Sequence, residues 1–343
     1  MKVKHLLQCH LLVKGLFPAA AGASPRLPGL EGMLAFGGEQ QLFEGGAEPW
    51  LCNAFGVRRQ HDWPVAPFAA LGDGLAPGER YWLRADPVHL HLLRDSLTMA
   101  DGVPLDLTLD EALALAATLN RHFAADGVQF LVPAAARWYL YLAIPSRMNT
   151  HPLSEAIGRD VDRLLPQGAD AMQWHGRINE AQMLLHDHPV NLARAQRGQL
   201  AVNSIWPWGG GVLMQPEGTP FNAVWSQDAL AQGLTAVHGI EAQPLPQSCA
   251  AWLHGITTDA HLLLLDQLDR ADLRQDAAHW FQVLQQLEQQ WFAPLLRQLK
   301  AGRVDSIHLH LAGFGRVRSY TVNHNNLWKF WRRPRPLETY LHD

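Results

Sequence analysis

The stretch from residue 81 to 145 constrains the fold more than any other part of the chain. Val88, Leu90 and Leu92 alternate with His89 and His91, which is the two-residue period of a β-strand. A capping box at Thr108 and Glu111 predicts that a helix begins there, and Gly127 predicts its end. The predicted apolar face of this helix comprises Leu109, Ala112, Leu113, Ala116, Leu119 and Phe123. With strands expected over 128–132 and 137–143, this region predicts an α+β module.

Strand and helix patterns alternate along the rest of the chain, which predicts the α/β class. Further strands are expected over 11–13, 306–311 and 317–322, the last two as a hairpin. Helices are expected over 29–36, 168–186, 226–238 and 277–299, with Pro294 kinking or ending the last one. The Pro- and Gly-rich stretch 63–80 is interpreted as a connection. We therefore expect a main α/β domain built from 1–80 and 201–343, with 81–200 inserted as a smaller α+β module.

Composition and charge argue against two classes of function, nucleic-acid binding and a role as a membrane-spanning protein. The net charge of −4 and the sequence pI near 6.5 argue against a nucleic-acid binder, which usually carries a basic face. No apolar stretch is long enough to predict a membrane span. One basic cluster near the C-terminus is interpreted as an aromatic segment packed on the body, although arginines beside aromatic rings are also able to stack on bases. Its residues are Trp328, Lys329, Phe330, Trp331, Arg332, Arg333 and Arg335.

The cysteines predict a reducing environment. Cys9, Cys52 and Cys249 are far apart and odd in number, a pattern that favours neither a disulfide framework nor a metal-binding pair. Polar residues interrupt the apolar residues near the N-terminus, so no signal peptide is expected. We therefore expect a cytoplasmic protein. Nothing in the sequence indicates its oligomeric state.

The run Ala201–Gly211 reads AVNSIWPWGGG, and the segment Asp187–Asn191 before it reads DHPVN. Together they resemble the Asn-x-Ile-Trp-x-Trp-Gly-x-Gly run and the His-Pro-Val-Asn turn of the archaeal-type cofactor-independent phosphoglycerate mutases, in the alkaline phosphatase superfamily. Leu83–Val88, which reads LRADPV, and the capped helix follow the family pattern in the same order. The resemblance extends over about residues 80 to 320.

This resemblance implies a mostly parallel, alkaline-phosphatase-like sheet flanked by helices. It also implies a reaction in which a Ser takes a phosphoryl group while two divalent ions, manganese or zinc, hold the phosphate. The candidate substrate-binding residues that follow from it are Arg84, Asp86, Arg94, His188, Trp206 and Trp208. His188 is also interpreted as a structural residue at a helix end. The expected partner is a small phosphorylated metabolite, with no membrane and no nucleic acid.

The chain departs from the family where its metal ligands are expected. Lys14 stands where an Asp should follow the first strand, and a protonated Lys repels a metal ion. Leu27–Glu31 replaces a polar helix start, Arg270 stands at an expected His, and Leu311–Gly313 replaces an Asp-His strand end. These departures predict a mutase-like protein that has lost its two-metal site, has no metal cofactor, and acts by binding or regulation.

The alternative is an active mutase or metal-dependent phosphatase whose ligands stand elsewhere in the chain. Manganese or zinc would then be its cofactor. The acidic and histidine residues available for such a site are Asp259, His261, Asp266, Asp269 and Asp305.

Two further patterns have both a functional and a structural interpretation. The pairs His89/His91 and His308/His310 have the spacing of a zinc site on one strand face, although a polar strand face also collects histidines. Glycines 209–211 resemble a phosphate-binding loop, but no Walker lysine follows them. They are interpreted as part of a turn between domains.

Overall fold

The computed structural model of the chain describes residues 6–16, 25–92, 97–100, 105–254, 256, 259–272, 277–313, 315–329 and 331–341. Its strands are β1 (Gln8–Lys14), β2 (Glu39–Glu44), β3 (Tyr81–Val88), β4 (Leu90–Leu92), β5 (Leu97–Met99), β6 (Val128–Ala134), β7 (Arg137–Leu142), β8 (Met148–Asn149), β9 (Gln167–Gly168), β10 (Ser204–Val212), β11 (Ala223–Trp225), β12 (Ala242–Gln243), β13 (Ala260–Leu265), β14 (Ser306–Gly313) and β15 (Arg316–Asn323).

The helices are α1 (Pro28–Gly37), α2 (Ala47–Ala54), α3 (Val65–Gly72), α4 (Leu109–His122), α5 (Leu153–Ala156), α6 (Ala171–His186), α7 (Pro189–Gln196), α8 (Ala229–Val237), α9 (Cys249–Leu253), α10 (Gln267–Asp272), α11 (Ala277–Leu287), α12 (Ala293–Lys300) and α13 (Glu338–Leu341). A π-helical turn occupies Glu288–Phe292, and 3₁₀ turns occupy Phe123–Asp126 and His324–Trp328.

The chain divides into two compact units. Unit 1 comprises Met1–Trp50, Thr219–Gln227 and Gly239–Asp343, and unit 2 comprises Leu51–Gly218 and Asp228–His238. These bounds differ from the predicted boundaries near residues 80 and 200. The insertion of one domain into another stays a prediction.

Unit 1 is built on a seven-stranded sheet with the order β12-β11-β13-β1-β14-β15-β2. The first five strands are parallel to their neighbours, and β15 and β2 pair antiparallel. The predicted hairpin of β14 and β15 is present, with Ile307 opposite Val322. The sheet is mostly parallel and flanked by helices, so the predicted α/β class is confirmed.

The core of unit 1 lies between one face of this sheet and helices α1, α11 and α12. Alternate residues of β1, namely Cys9, Leu11 and Val13, are fully buried in it. The predicted long helix over 277–299 is interrupted by the π-helical turn, directly before Pro294. Proline has no N–H to donate, and Pro294 lies in the first turn of α12, where proline is tolerated best.

Unit 2 is built on an antiparallel sheet with the order β10-β3-β7-β6. The capping box of α4 is confirmed: Thr108 Oγ1 accepts from Glu111 N at 3.2 Å, and Glu111 Oε2 accepts from Thr108 N at 3.1 Å. The predicted apolar face of α4 is partly wrong. Leu115 is buried in the core, whereas Leu109 and Leu113 are 46% and 48% exposed.

Two local predictions in unit 2 are wrong. The run that contains glycines 209–211 is not a turn but the strand β10, with an irregularity between Trp208 and Gly211. The stretch 63–80, predicted as a connection, contains helix α3. Six of its eight residues are buried, so α3 has no polar stripe from which a helical period could be read.

Candidate functional site

The carboxyl ends of the parallel strands of unit 1 form the edge at which open α/β sheets usually bind ligands. Lys14 ends β1, and Gly15 follows it with a φ of +73°. A Cβ atom on Gly15 would lie 2.3 Å from the backbone N of Asp269, so only glycine fits this close approach to α10. The carbonyl of Gly15 accepts a hydrogen bond of 2.8 Å from Trp280 Nε1. The edge is therefore tightly packed beside β1.

Lys14 forms an ion pair at this edge. Its Nζ atom lies 2.7 Å from Oε1 of Glu48, and the two side chains are only 9% and 13% exposed. The other carboxylate oxygen of Glu48 is buried and has no hydrogen-bond partner among the described residues. The ammonium group is thus the cation that compensates this buried carboxylate.

The amino end of α1 is occupied by a carboxylate of the chain itself. Glu288, on the π-helical turn, accepts hydrogen bonds from the backbone N of Gly29 at 2.6 Å and of Leu30 at 3.1 Å. Burial raises the pKa of Glu288, the two backbone N–H groups lower it, and the nearby charge of Glu31 raises it. The N–H groups that a helix offers to a bound anion are therefore already used here.

The carboxyl end of β14 is apolar. Leu311 and Ala312 are 1% and 3% exposed, so this strand end offers no side-chain oxygen or nitrogen to a metal ion. Arg270, at the position of an expected His, lies on α10, and its side chain is outside the described part of the structure. At the described strand ends, the donor set does not fit a two-metal centre.

A cleft of about 390 Å³ opens beyond the ends of β11 and β13. Its polar lining residues are Ser226, Gln227, Gln247, Asp266, Gln267 and Gln290. The amide oxygen of Gln267 is buried and has no hydrogen-bond partner in the part of the chain that the structure describes. No described lining residue is basic. The side-chain amides of this amide-lined cleft offer both hydrogen-bond donors and acceptors to a polar ligand.

The five candidate metal ligands fall into separate places. Asp266 follows β13 and Asp269 lies on α10, both near the carboxyl edge. Asp259 precedes β13, and Asp305 Oδ2 accepts from Leu7 N at 2.9 Å, before β1. A six-residue strand separates Asp259 from Asp266, a distance of roughly 20 Å. These two carboxylates therefore cannot share one metal centre.

His261, the fifth candidate, is buried between two indole rings. Its Nδ1 atom accepts from Trp225 Nε1 and from Trp252 Nε1, both at 3.1 Å. The lone pair needed for a metal is thus already used on this nitrogen. Throughout the described residues, no group of three or more His, Cys, Asp or Glu side chains is arranged to hold a metal ion.

Three of the candidate substrate-binding residues lie together in unit 2. Arg84 donates to Asp86 Oδ1 through Nε at 3.1 Å and Nη2 at 2.7 Å, and Trp208 Nε1 donates to Asp86 Oδ2 at 2.8 Å. The guanidinium carbon of Arg84 lies 5.2 Å from the ring centroids of both Tyr139 and Trp208. Burial is the largest single influence and would lower the pKa of Arg84, but the charge of Asp86, the interaction with Tyr139 and the hydrogen bonds to Asp86 together raise it.

This network continues to the end of α3. Tyr139 Oη donates to Asp73 Oδ2 at 2.6 Å, and Arg137 donates to both oxygens of Asp73, at 2.8 and 2.6 Å. Burial would raise the pKa of Asp73, but these hydrogen bonds and the charge of Arg137 lower it. The Trp-x-Trp run thus contributes to a buried frame of unit 2. A substrate-binding role for Arg84, Asp86 and Trp208 stays a prediction.

Of the remaining candidate substrate-binding residues, Trp206 and His188 have other hydrogen-bond partners. Trp206 Nε1 donates to the carbonyl of His151 at 2.9 Å. His188 is the N-cap of α7 and accepts from Val190 N at 3.2 Å, which agrees with its structural interpretation. Burial, together with the charge of Arg121, lowers the pKa of His188. Arg94 lies outside the described residues.

Glycines 209–211 allow close packing rather than a phosphate cradle. Cβ atoms on Gly210 and Gly211 would lie 2.3 Å from Tyr81 Oη and 2.4 Å from the Cβ of Pro64. The backbone N of Gly209 donates to Thr150 Oγ1 at 2.9 Å, and Thr150 in turn is hydrogen-bonded to Asp62. The space beside these backbone N–H groups is therefore filled by the protein.

A stack of histidines on the sheet of unit 1 was only partly visible in the sequence. His10 of β1 stacks on His308 of β14, with ring centroids 4.1 Å apart, and His310 lies on the same strand. Burial, with the charge of His308 second, lowers the pKa of His10 to about 3, and burial also lowers the pKa values of His308 and His310. The parallel pairing of β1 with β14 brings His10 to the predicted pair.

The other predicted pair, His89 and His91, makes an edge-to-face contact with ring centroids 4.5 Å apart. His89 Nδ1 is hydrogen-bonded to the carbonyl of Ala201 at 2.7 Å, so one of its two nitrogens already has a partner.

Among the described helices, none is long and apolar enough to cross a membrane.

The fold and the strand-end geometry of unit 1 define an α/β protein with a mostly parallel sheet. The chain is 33% identical over 154 residues to the 2,3-bisphosphoglycerate-independent phosphoglycerate mutase of Methanosarcina acetivorans, and 29% identical over 124 residues to that of Methanosarcina mazei. These alignments cover 43% and 35% of the chain. The chain is therefore a distant relative of the cofactor-independent phosphoglycerate mutases.

The similarity is partial. The alignments span only 36% and 30% of the length of these two relatives. No protein-family model matches the chain. Among solved structures, a protein from Pyrococcus horikoshii aligns over 93% of this chain and 88% of its own, with 15% identity and a TM-score of 0.49.

Proposed function

We propose that this chain is a mutase-like protein without the two-metal centre, and that it acts by binding a small metabolite, in a regulatory rather than a catalytic role. The observation that carries the proposal is the Lys14–Glu48 ion pair at the carboxyl end of β1. The resemblance expects a metal-binding Asp at this strand end. A protonated lysine provides a positive charge there and cannot ligate a metal ion.

Two further features support the absence of two-metal chemistry. The carboxylate of Glu288 occupies the N–H groups at the start of α1, so a phosphate would have to displace it. The end of β14 carries Leu311 and Ala312 instead of metal-binding side chains. Lewis-acid activation of a phosphoryl group needs several oxygen or nitrogen ligands with open positions.

The amide-lined cleft is the place where we expect the metabolite to bind. It lies beyond parallel strand ends, offers several amide groups, and contains the unpartnered oxygen of Gln267. Because the relatives are named as phosphoglycerate mutases, a phosphorylated glycerate is the first ligand to test. Cys9, Cys52 and Cys249 are buried thiols rather than disulfides, which favours a reducing compartment, and we propose a cytoplasmic location.

The decisive experiment measures metal content and turnover on the same preparation. Protein purified without chelator, and again after incubation with manganese, is analysed by elemental mass spectrometry and assayed for conversion of 3-phosphoglycerate. We expect no stoichiometric metal and no turnover. Two bound divalent ions per chain together with turnover would overturn the proposal and establish the alternative, an active enzyme.

Ligand binding is tested by calorimetric titration with 3-phosphoglycerate. Gln290 lines the amide-lined cleft and the neighbouring Gln289 does not, so Gln290→Leu and Gln289→Leu form a matched pair on the same π-helical turn. We expect Gln290→Leu to weaken binding by about tenfold, the effect of one lost hydrogen bond that leaves a polar ligand group unpaired. Gln289→Leu should bind as wild type. Equal affinities in both variants would place the ligand outside this cleft.

A further inference from the structure

Trp331, Arg332, Arg333 and Arg335 of the basic aromatic segment line a second cleft, in a different place from the amide-lined one. This arginine cleft has a volume of about 570 Å³. Its main lining residues are Gly38, Trp331, Arg332, Arg333, Arg335 and Tyr340. A cleft of this size is within the usual range for a small-molecule site.

The positive charge of the arginine cleft is not compensated at the cleft itself. Arg332, Arg333 and Arg335 are exposed, and within the described residues their guanidinium groups make no hydrogen bond or ion pair. None of the described lining residues is acidic. Three clustered guanidinium groups repel one another unless an anion binds between them, which favours an anionic ligand.

The guanidinium group of Arg332 lies close to the end of α1. Its Nη1 atom lies 2.9 Å from the position that a Cβ atom on Gly38 would take, and Gly38 has a φ of +70°. The carbonyl end of a helix carries partial negative charge, which attracts a guanidinium group. Glycine at position 38 thus allows the guanidinium to rest over the backbone beside the cleft.

The arginine cleft also presents a flat aromatic surface. The side chain of Trp331 is 66% exposed at the cleft, and that of Trp328, one turn earlier in the chain, is 72% exposed. Indole rings are usually well buried in folded proteins, and an exposed indole beside cations provides a stacking surface for a planar ring. A ligand that uses the whole cleft therefore combines a planar aromatic ring with negative charge.

We propose that the arginine cleft binds a free nucleotide, with its base stacked on Trp331 and its phosphates between Arg332, Arg333 and Arg335. Arginine matches phosphate geometry through paired N–H groups, and base–indole stacking is tolerant of base identity. A long polyanion is disfavoured because the whole chain carries a net charge of −4, so its long-range field does not attract nucleic acid. This inference is independent of the proposed function.

The test is a calorimetric titration of the full-length chain with ATP and with AMP, at low and at physiological salt. We expect both nucleotides to bind, ATP more tightly, with affinity falling as salt rises. The triple variant R332Q/R333Q/R335Q should lose at least about tenfold in ATP affinity. Trp331→Leu should lose about fivefold or more, the expected effect of removing one stacking surface.

The matched control is Arg303→Gln, which removes one exposed positive charge of the same unit away from the arginine cleft. It should bind ATP as wild type. If the triple variant does not fold, Arg333→Gln alone serves in its place. The proposal is overturned if wild type binds neither nucleotide, or if the arginine variants bind ATP as wild type does. An oligothymidylate and anionic phosphatidylserine vesicles are titrated as alternative ligands. Binding of only one of these two ligands, and of neither nucleotide, also overturns the proposal.

Discussion

The Nδ1 atom of His10 lies 3.2 Å from the Nε2 atom of His310, so the two rings share one hydrogen bond inside the sheet of unit 1. The other nitrogen of His310 is hydrogen-bonded to Ser319 Oγ at 2.9 Å. His308, stacked on His10, is hydrogen-bonded to Ser306 and Thr321, both at 3.0 Å. Burial disfavours a positive charge on these rings, and repulsion between His10 and its neighbours adds to it, so the folded protein keeps the rings neutral.

The histidine stack makes the free energy of unfolding depend on pH. The unfolded chain protonates these residues near pH 6.5, whereas the folded pKa of His10 is about 3 and those of His308 and His310 are also lowered. Below pH 6.5 the unfolded state binds more protons. Stability is therefore fully present above pH 6.5 and is lost as the pH falls toward 3. Urea unfolding at several pH values should show a loss of up to ~1.4 kcal/mol per pH unit for each such histidine.

A variant pair separates this effect from general acid sensitivity. His10→Gln keeps a hydrogen-bonding group at the stack and removes its titration, so the free energy of unfolding should depend less steeply on pH. His254→Gln removes an exposed histidine and should leave the dependence unchanged. The same pH dependence in both variants would show that the stack is not its source.

Removal of Lys14 should destabilise unit 1 strongly. Lys14→Met leaves the buried carboxylate of Glu48 without its cation, at an expected cost of about 3 kcal/mol. The double variant Lys14→Met/Glu48→Gln removes both charges and should recover part of this loss. The exposed pair Arg58–Glu217, with side chains 75% and 71% exposed, provides the control. Arg58→Met should cost less than ~1 kcal/mol, and an equal loss in the Lys14 and Arg58 variants would contradict the prediction.

Local sequence patterns predict a helix or strand correctly where that element depends on residues close together in the chain. The capping box at Thr108 located α4, and the alternation in 306–311 located β14 and its hairpin. The sequence does not predict helix α3, because this helix is largely buried and apolar and therefore shows no helical period. The apolar pattern predicts Leu109 and Leu113 on the buried face of α4, but the core contacts the face that contains Leu115.

The strand-end geometry could not be predicted from local patterns. Glu288 caps α1 from a position 259 residues away from Gly29, and no motif links the two. His10 joins the histidine pair of β14 across 300 residues, because β1 and β14 become neighbours only in the folded sheet. The resemblance indicated where metal ligands should stand, but the partner of Lys14 became visible only in three dimensions.

Asp86 should be essential for the frame of unit 2. Its carboxylate is fully buried and compensates the charge of Arg84 while accepting from Trp208 and from the backbone N of Trp138. Asp86→Asn keeps the shape but removes the charge and turns one acceptor into a donor. We expect a loss of about 2–4 kcal/mol in the free energy of unfolding, measured with urea. Asp162→Asn, at an exposed site, should have little effect on the free energy of unfolding. A similarly small effect of Asp86→Asn would contradict the prediction that Asp86 is essential for this frame.

Gly233 should tolerate no side chain, because α8 and α3 cross at this residue. A Cβ atom on Gly233 would lie 1.7 Å from the carbonyl oxygen of Phe68, and one on Gly72 would lie 1.9 Å from the carbonyl oxygen of Ala229. Both obstacles are backbone atoms, so the helices would have to separate. Gly233→Ala should lose at least ~3 kcal/mol of stability or yield no folded protein.

Gly176→Ala is the control, since it lies on α6 with no atom within 4 Å of the new Cβ. That variant should gain about 0.5–1 kcal/mol through the smaller conformational entropy of its unfolded chain. Thermal unfolding of the two variants should therefore shift in opposite directions, and a stable Gly233→Ala protein would mean that the two helices do not pack this closely.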